Sequence, residues 1–299
     1  MRKPNLFIVG APKCGTTALH DYLGSHPQIF MSRVKEPGYF GSDLVGPTLF
    51  ASAEDYLALF SDAGEAKVVG ESSTVYLRSS RAADEIWAFN PESRIIAMVR
   101  NPIDVMHSFH SQLLYQGEED IEDFEAALAA EPARERLAES GNGSGVRGSL
   151  LYRRVVCFAE QIERYLNRFG RDRVHVIVHD DLVRDTPAEY ERTLRFLEVD
   201  PALRPSAFAV VNPNKQPRSA GLHRLLVHPP SPVRPVVRTV LPQRTRAFLF
   251  GKVRRLNTAH AKRAPMSADL RNRLADELSL EVKRLGALLD RDLSAWTRV

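Results

Sequence analysis

The N-terminus runs Leu6-Phe7-Ile8-Val9 straight into Gly10-Ala11-Pro12-Lys13-Cys14-Gly15-Thr16-Thr17, and this junction constrains the fold more than any other stretch. A short apolar run closed by a glycine reads as a buried strand. Thr16 is a good capping residue, and it opens a helix that ends near Gly24. In such a strand–loop–helix unit, loop amides and the helix N-terminus converge on an anion, and the helix dipole favours its charge. A nucleotide kinase or ATPase loop places lysine directly after its second glycine. Here Gly10 and Gly15 keep that spacing, but Thr16 holds the lysine position and the lysine lies inside the loop, at Lys13. The displacement changes which oxygen the ammonium can reach, and it weakens an ordinary ATP reading.

Further along, Gln28–Met31, Lys67–Glu71, Arg94–Val99 and Val174–Val178 read as strands. Helical patterns cover Arg81–Phe89, Pro102 to about Tyr115, about Ser149 to Phe169, Pro187–Leu197 and Ser267 to about Leu289. Alternating strand and helix predicts a parallel sheet covered on both faces. The expected fold class is α/β, a three-layer sandwich with a central parallel sheet, P-loop nucleotide-kinase-like. Residues 1–299 read as a single domain with variable insertions at about 41–61 and 116–148. Within the second, Glu118–Glu139 looks like an exposed acidic helix pair. Ser140-Gly141-Asn142-Gly143-Ser144-Gly145 has the composition of a flexible loop, and it is a candidate lid.

Charge is uneven along the chain. The segment 201–268 carries thirteen Lys or Arg and no Asp or Glu, so the formal +4 hides a net of −9 over the remainder. An acidic body with one basic segment suits a phosphate, a sulfate or another polyanion. No recognised nucleic-acid-binding module or interleaved aromatics accompany these cations, which argues against nucleic acid. The two cysteines, Cys14 and Cys157, do not make a disulfide framework. No apolar run approaches the ~20 residues of a membrane helix, and a cytoplasmic protein is the default expectation.

Pro12-Lys13-Cys14-Gly15-Thr16-Thr17 after a strand resembles the 5′-phosphosulfate loop of sulfotransferases that use 3′-phosphoadenosine 5′-phosphosulfate (PAPS). Arg94 to Pro102 followed by Ser108 is similar to that family's 3′-phosphate motif, a strand ending in Arg100 with a serine eight residues on. Lys35-Glu36-Pro37-Gly38-Tyr39-Phe40 and Gly70-Glu71-Ser72-Ser73-Thr74-Val75-Tyr76-Leu77 resemble segments of the Golgi, heparan-sulfate-type branch. Asn214 to Ser219 looks like the late loop that closes over the nucleotide in bacterial members, and Gly286 to Trp296 also recurs at the end of such chains.

The resemblance implies that sulfonate moves from PAPS to a hydroxyl or amine, leaving adenosine 3′,5′-bisphosphate, with no metal required. It places Lys13 on the leaving-group side, with Pro12, Cys14, Gly15, Thr16 and Thr17 around the 5′-phosphate. Arg100, Ser108, Lys215, Arg218 and Ser219 then serve the 3′-phosphate, and Glu36 is the general base. His107 and His110 are second candidates for the base. The branch often has lysine after the glutamate of the Gly70 segment, and Ser72 replaces it here. Tyr76 either lines the pocket or packs in the core, and Cys14 reads as a small filler. The cations from Arg224 to Arg263 read as a solvated face, or as contacts to an anionic acceptor or a membrane surface. The acceptor is a small molecule, a lipid or a glycan, and oligomeric state is not readable. Two alternatives stay open: a P-loop nucleotide or small-molecule kinase, and a non-catalytic nucleotide-binding protein on the same scaffold.

Overall fold

The computed structural model describes residues 2–44, 50, 52–139, 148–203, 205, 208, 215–217, 258–260, 263 and 265–298. The expected Gly-rich lid and most of the basic segment lie outside the described residues. Five strands form one parallel sheet: β1 Leu6–Gly10, β2 Ile29–Met31, β3 Val68–Ser72, β4 Arg94–Val99 and β5 Val174–Val178. Their spatial order is β2-β3-β1-β4-β5. The central strands β1 and β3 are buried along their whole length, as unbroken apolar runs between two helical layers should be. The chain first builds outward from β1 to β2 and back to β3, then crosses to β4 and β5. The loop after β1 therefore opens where the order reverses, the position at which open α/β sheets hold ligands.

One face is covered by α1 (Thr16–Gly24), which packs on β2 and β3. The short α2 (Ala53–Leu57), α3 (Ala82–Phe89) and α4 (Pro102–Gln116) follow, then the acidic pair α5 (Phe124–Ala129) and α6 (Glu131–Glu139). After these come α7 (Tyr152–Val155), α8 (Phe158–Phe169), α9 (His179–Arg184) and α10 (Thr186–Phe196). The last helices are α11 (Ala268–Glu277) and α12 (Ser279–Leu289). Tyr190 of α10 donates to the Tyr22 carbonyl of α1 at 3.0 Å, so these two helices share a face. On the other face, α8 packs on β4, α3 and α12. Its buried residues Phe158, Ile162, Tyr165 and Phe169 recur at helical spacing. Among the described residues no helix is long and apolar enough to cross a membrane.

Three local readings change. The helix expected from Ser149 to Phe169 is broken between α7 and α8. Gln161 Nε2 donates to the freed Arg154 carbonyl at 2.8 Å, and Glu281 of α12 accepts from the Ala159 amide at 2.7 Å. Those side chains supply the partners a continuous helix would otherwise have given. The C-terminal pattern likewise splits at Leu278 into α11 and α12. Thr16 is not the cap of α1: Gly15 holds that position with φ 93°, and no side chain caps the helix.

Candidate active site

The loop between β1 and α1 is fixed by its glycines. A Cβ on Gly10 would lie 2.7 Å from Leu77 Cβ and 3.0 Å from the Thr74 carbonyl oxygen. Gly15, at φ 93°, has a left-handed backbone that side chains rarely adopt, and Leu182 and Met98 pack close against it. The first-turn amides of α1 have no helical acceptor and, among the described residues, no capping side chain, and no acidic residue lies in that turn. This leaves a nine-residue helix presenting its positive end at the sheet edge. Pro12 and Thr16 are buried, while Lys13, Gly15 and Thr17 are partly exposed along the same turn. Cys14 is sealed beneath the loop, its thiol 3.4 Å from the Pro12 carbonyl, and burial pushes its pKa up to about 12. It is a filler and not a nucleophile at neutral pH.

Arg100 follows β4. Its Nη1 lies 3.4 Å from the Lys13 carbonyl oxygen, which places the guanidinium directly over the loop. Asn101 caps α4 by accepting from the Ile103 amide at 3.0 Å, with Pro102 at the first helical position. That geometry carries Ser108, nearly buried, along the same edge. Arg263 reaches it from 155 residues away, with Nη2 2.9 Å from Ser108 Oγ and Nε 2.8 Å from Ser111 Oγ. Burial and the neighbouring Arg100 both depress the Arg263 pKa. Arg271 donates to Asp104 at 2.8 Å, and Arg100 lies 3.8 Å from the same carboxylate. One acid thus orders two arginines beside a third.

Sequence reasoning left Arg263 and Arg271 unassigned. The signal that could have found Arg263 was its place in the acid-free stretch. Lys215 opens β6 (Lys215–Pro217), which pairs antiparallel with β7 (Thr258–His260) and lies against α4. The late segment is therefore strand at this point, where a loop was expected. Arg218 and Ser219 lie outside the described residues.

The third element is the segment after β2. Glu36 has φ 59°, and its amide donates to the Ser72 carbonyl at 2.9 Å, which brings it to the end of β3. Its Oε2 accepts from the Thr74 amide at 2.7 Å and from Thr74 Oγ1 at 3.1 Å, and Lys35 lies 2.5 Å from Oε1. The Glu36 side chain is 42% exposed. Ser72, where the resembling branch often has lysine, is buried with its hydroxyl unpartnered among the described residues.

The histidines fall elsewhere. His110 is buried against Phe124 and Tyr152, with Nε2 2.9 Å from the Ile121 carbonyl oxygen. His107 is pushed down to about 4 by burial, by Arg263 and by His110. His20 of α1, not singled out from sequence, is the histidine whose pKa responds to both Lys35 and Glu36. It is depressed chiefly by burial. Tyr76 is fully buried, which settles it as core.

A parallel sheet with helices on both faces, whose strand ends carry a glycine loop, an uncapped helix and an arginine cluster, defines an α/β protein of the P-loop type. A family model described as the sulfotransferase domain matches residues 3–209. The chain belongs to the sulfotransferase domain family. Its fold is similar to the crystal structure of a sulfotransferase from Alicyclobacillus acidocaldarius, with a TM-score of 0.73 and 28% identity over 100% of both chains. It is 29% identical to human carbohydrate sulfotransferase 15, over 35% of this chain and 26% of that protein. It is 23% identical to human heparan sulfate glucosamine 3-O-sulfotransferase 5, over 67% of this chain and 55% of that one. The chain therefore spans about a quarter of the first relative's length and about half of the second's.

Proposed function

We propose that this chain transfers the sulfonate group of PAPS to a hydroxyl or amine, with a saccharide hydroxyl as the favoured acceptor class. The observation that carries this is the pairing of two anion sites at one sheet edge: the uncapped α1 N-terminus, and Arg263 on Ser108 and Ser111 beside Arg100. PAPS carries two separate anionic groups, a phosphosulfate and a 3′-phosphate, and it supplies the sulfonate. The names of the relatives support the saccharide.

In this reading the loop amides, Thr16 and Thr17 hold the 5′-phosphate. Arg100, Ser108 and Arg263 take the 3′-phosphate, for which planar guanidinium groups are suited. Lys215, Arg218 and Ser219 belong to the same subsite. Glu36 accepts the proton of the acceptor hydroxyl as its oxygen bonds to sulfur. Lys13 neutralises charge growing on the bridging oxygen as the old sulfur–oxygen bond breaks and its electron pair stays with the 5′-phosphate.

Two measurements test this. Calorimetry should show adenosine 3′,5′-bisphosphate binding at least tenfold more tightly than ATP, and the reverse preference would point to a kinase. Labelled PAPS offered with desulfated heparan sulfate, desulfated chondroitin or p-nitrophenol should transfer label. Tight bisphosphate binding without transfer to any of them would instead describe a binding protein.

A further inference from the structure

Beneath the Glu36 segment lies a carboxylate that the reading above does not use. Glu71, next to last in β3, is wholly buried. No ion pair reaches it among the described residues. Three hydroxyls serve it instead: Tyr76 Oη at 2.7 Å and Tyr56 Oη at 3.1 Å donate to Oε1, and Ser73 Oγ at 2.8 Å donates to Oε2. A buried acid without a cation is costly, and apolar side chains would fill the space at less expense. Its retention calls for a reason beyond packing.

The reason lies on the far side of those hydroxyls. Tyr76 Oη accepts from the Tyr39 amide at 2.9 Å and from the Phe40 amide at 3.3 Å. Ser73 Oγ accepts from the Gly38 amide at 3.1 Å. Three consecutive amides, Gly38 to Phe40, therefore rest on lone pairs of hydroxyls whose protons point at Glu71. A hydroxyl has one proton to give. In its ionised form Glu71 only accepts, which turns those protons inward and leaves the lone pairs facing the segment. The Tyr39 ring is also stacked on Tyr56, another Glu71 donor, with centroids 4.1 Å apart and planes 5° from parallel.

This segment begins at Glu36. Its carboxylate is oriented by Thr74, the residue after Ser73, and its left-handed backbone is followed by Gly38 at φ 62°. Both sides of the Glu36–Thr74 contact thus adjoin groups that Glu71 orients. We infer that Glu71 is a positioning residue, which through Tyr76 and Ser73 sets the orientation of the segment presenting Glu36 to the acceptor. The inference rests on the reading of Glu36 as general base. It names a buried acid that never touches substrate.

The test uses the full chain with Glu71→Gln, and Tyr76→Phe as a second variant that keeps the ring but removes the oxygen binding two amides. Hydrogen–deuterium exchange should show the Gly38–Phe40 amides exchanging at least tenfold faster in either variant, with β1 and α1 unchanged. Whichever of the three acceptor probes takes label should give a kcat at least tenfold lower. KM for PAPS and Kd for adenosine 3′,5′-bisphosphate should stay within twofold. In a Glu36→Gln background, adding Glu71→Gln should change turnover less than twofold. Unchanged exchange at 38–40 would overturn the proposal, as would normal turnover of both variants where Glu36→Gln is inactive. Loss of bisphosphate affinity in step with turnover would overturn it too, by showing a general structural role. If Glu36→Gln itself turns over normally, the assignment of the base has failed instead.

Discussion

The two halves of the cleft are built on opposite principles. On the side proposed for the nucleotide, Arg100, Arg263 and Arg271 gather at α4 near Asp104, which pairs with two of them. In the proposed reading the anionic groups of the donor balance the charge that Asp104 leaves over. On the side proposed for the acceptor, Glu71 is enclosed by three hydroxyls that donate to it, two of which also accept from the Gly38–Phe40 amides. If the proposed reading holds, the same sheet edge uses unspent charge to bind and a hydroxyl network to hold geometry. Perturbing the first should weaken ligand affinity, and perturbing the second should misplace a group without loosening the ligand.

The sharpest break in that comparison is Lys13→Ala. Removing the ammonium expected at the breaking bond should lower kcat about 10²–10³-fold, read with labelled PAPS, at little cost to stability.

Next comes the pH response of the closed half. Burial raises the Glu71 pKa from 4.5 to about 7, against the pull of Tyr76, Ser73 and Tyr56 and with added repulsion from Glu36. Between about pH 4.5 and 7 the folded chain therefore keeps a proton there that the unfolded chain has released, and above about 7 the carboxylate that orients the hydroxyls is formed. The stability tied to Glu71 is full below about pH 4.5, declines as pH rises to about 7, and is flat beyond. The shift corresponds to about 3 kcal/mol. Urea unfolding of Glu71→Gln should lack this decline between pH 5 and 7.5, and an unchanged slope would place its origin elsewhere.

On the open half, Arg263→Ala should weaken adenosine 3′,5′-bisphosphate roughly tenfold or more by calorimetry, the scale of one charge-assisted contact. It should leave exchange at Gly38–Phe40 untouched. The smallest effect belongs to Cys14→Ala. With a sealed thiol, kcat should stay within about twofold, and stability should fall by about 1 kcal/mol for the small volume lost.

Legibility followed the range of the interactions. The β1–loop–α1 unit was readable because its constraints, two glycines and an apolar run, lie within a dozen residues. The sheet was readable from apolar runs, whose burial on both faces leaves no alternation to decipher. The break between α7 and α8 was not, since Glu281, which caps α8, lies 122 residues from the amide it accepts from. Arg263 was hidden for the same reason: its serines sit across the chain, and nothing local distinguishes it from its basic neighbours. Tyr76 and Glu71 were visible as a motif, but their relation was not, because a hydroxyl's direction is set only by what surrounds it. Glu36 was nominated by resemblance and lies at the sheet edge with Thr74 and Lys35, while His110 is occupied by packing.

One further consequence is optical. Of the two tryptophans in the chain, Trp87 is 41% exposed beneath Arg168, while Trp296 is buried with its indole N–H on Asp180 at 2.7 Å. The Trp296 carbonyl accepts from Asn101, the cap of α4, and Asp180 neighbours His179, which packs by Gly15. The molecule thus carries one buried fluorophore joined to the cap of α4 and to the turn beside Gly15, and a second on α3 that is open to solvent. Iodide should quench the exposed Trp87, and the remaining Trp296 emission should then report binding at the proposed nucleotide site without any attached label.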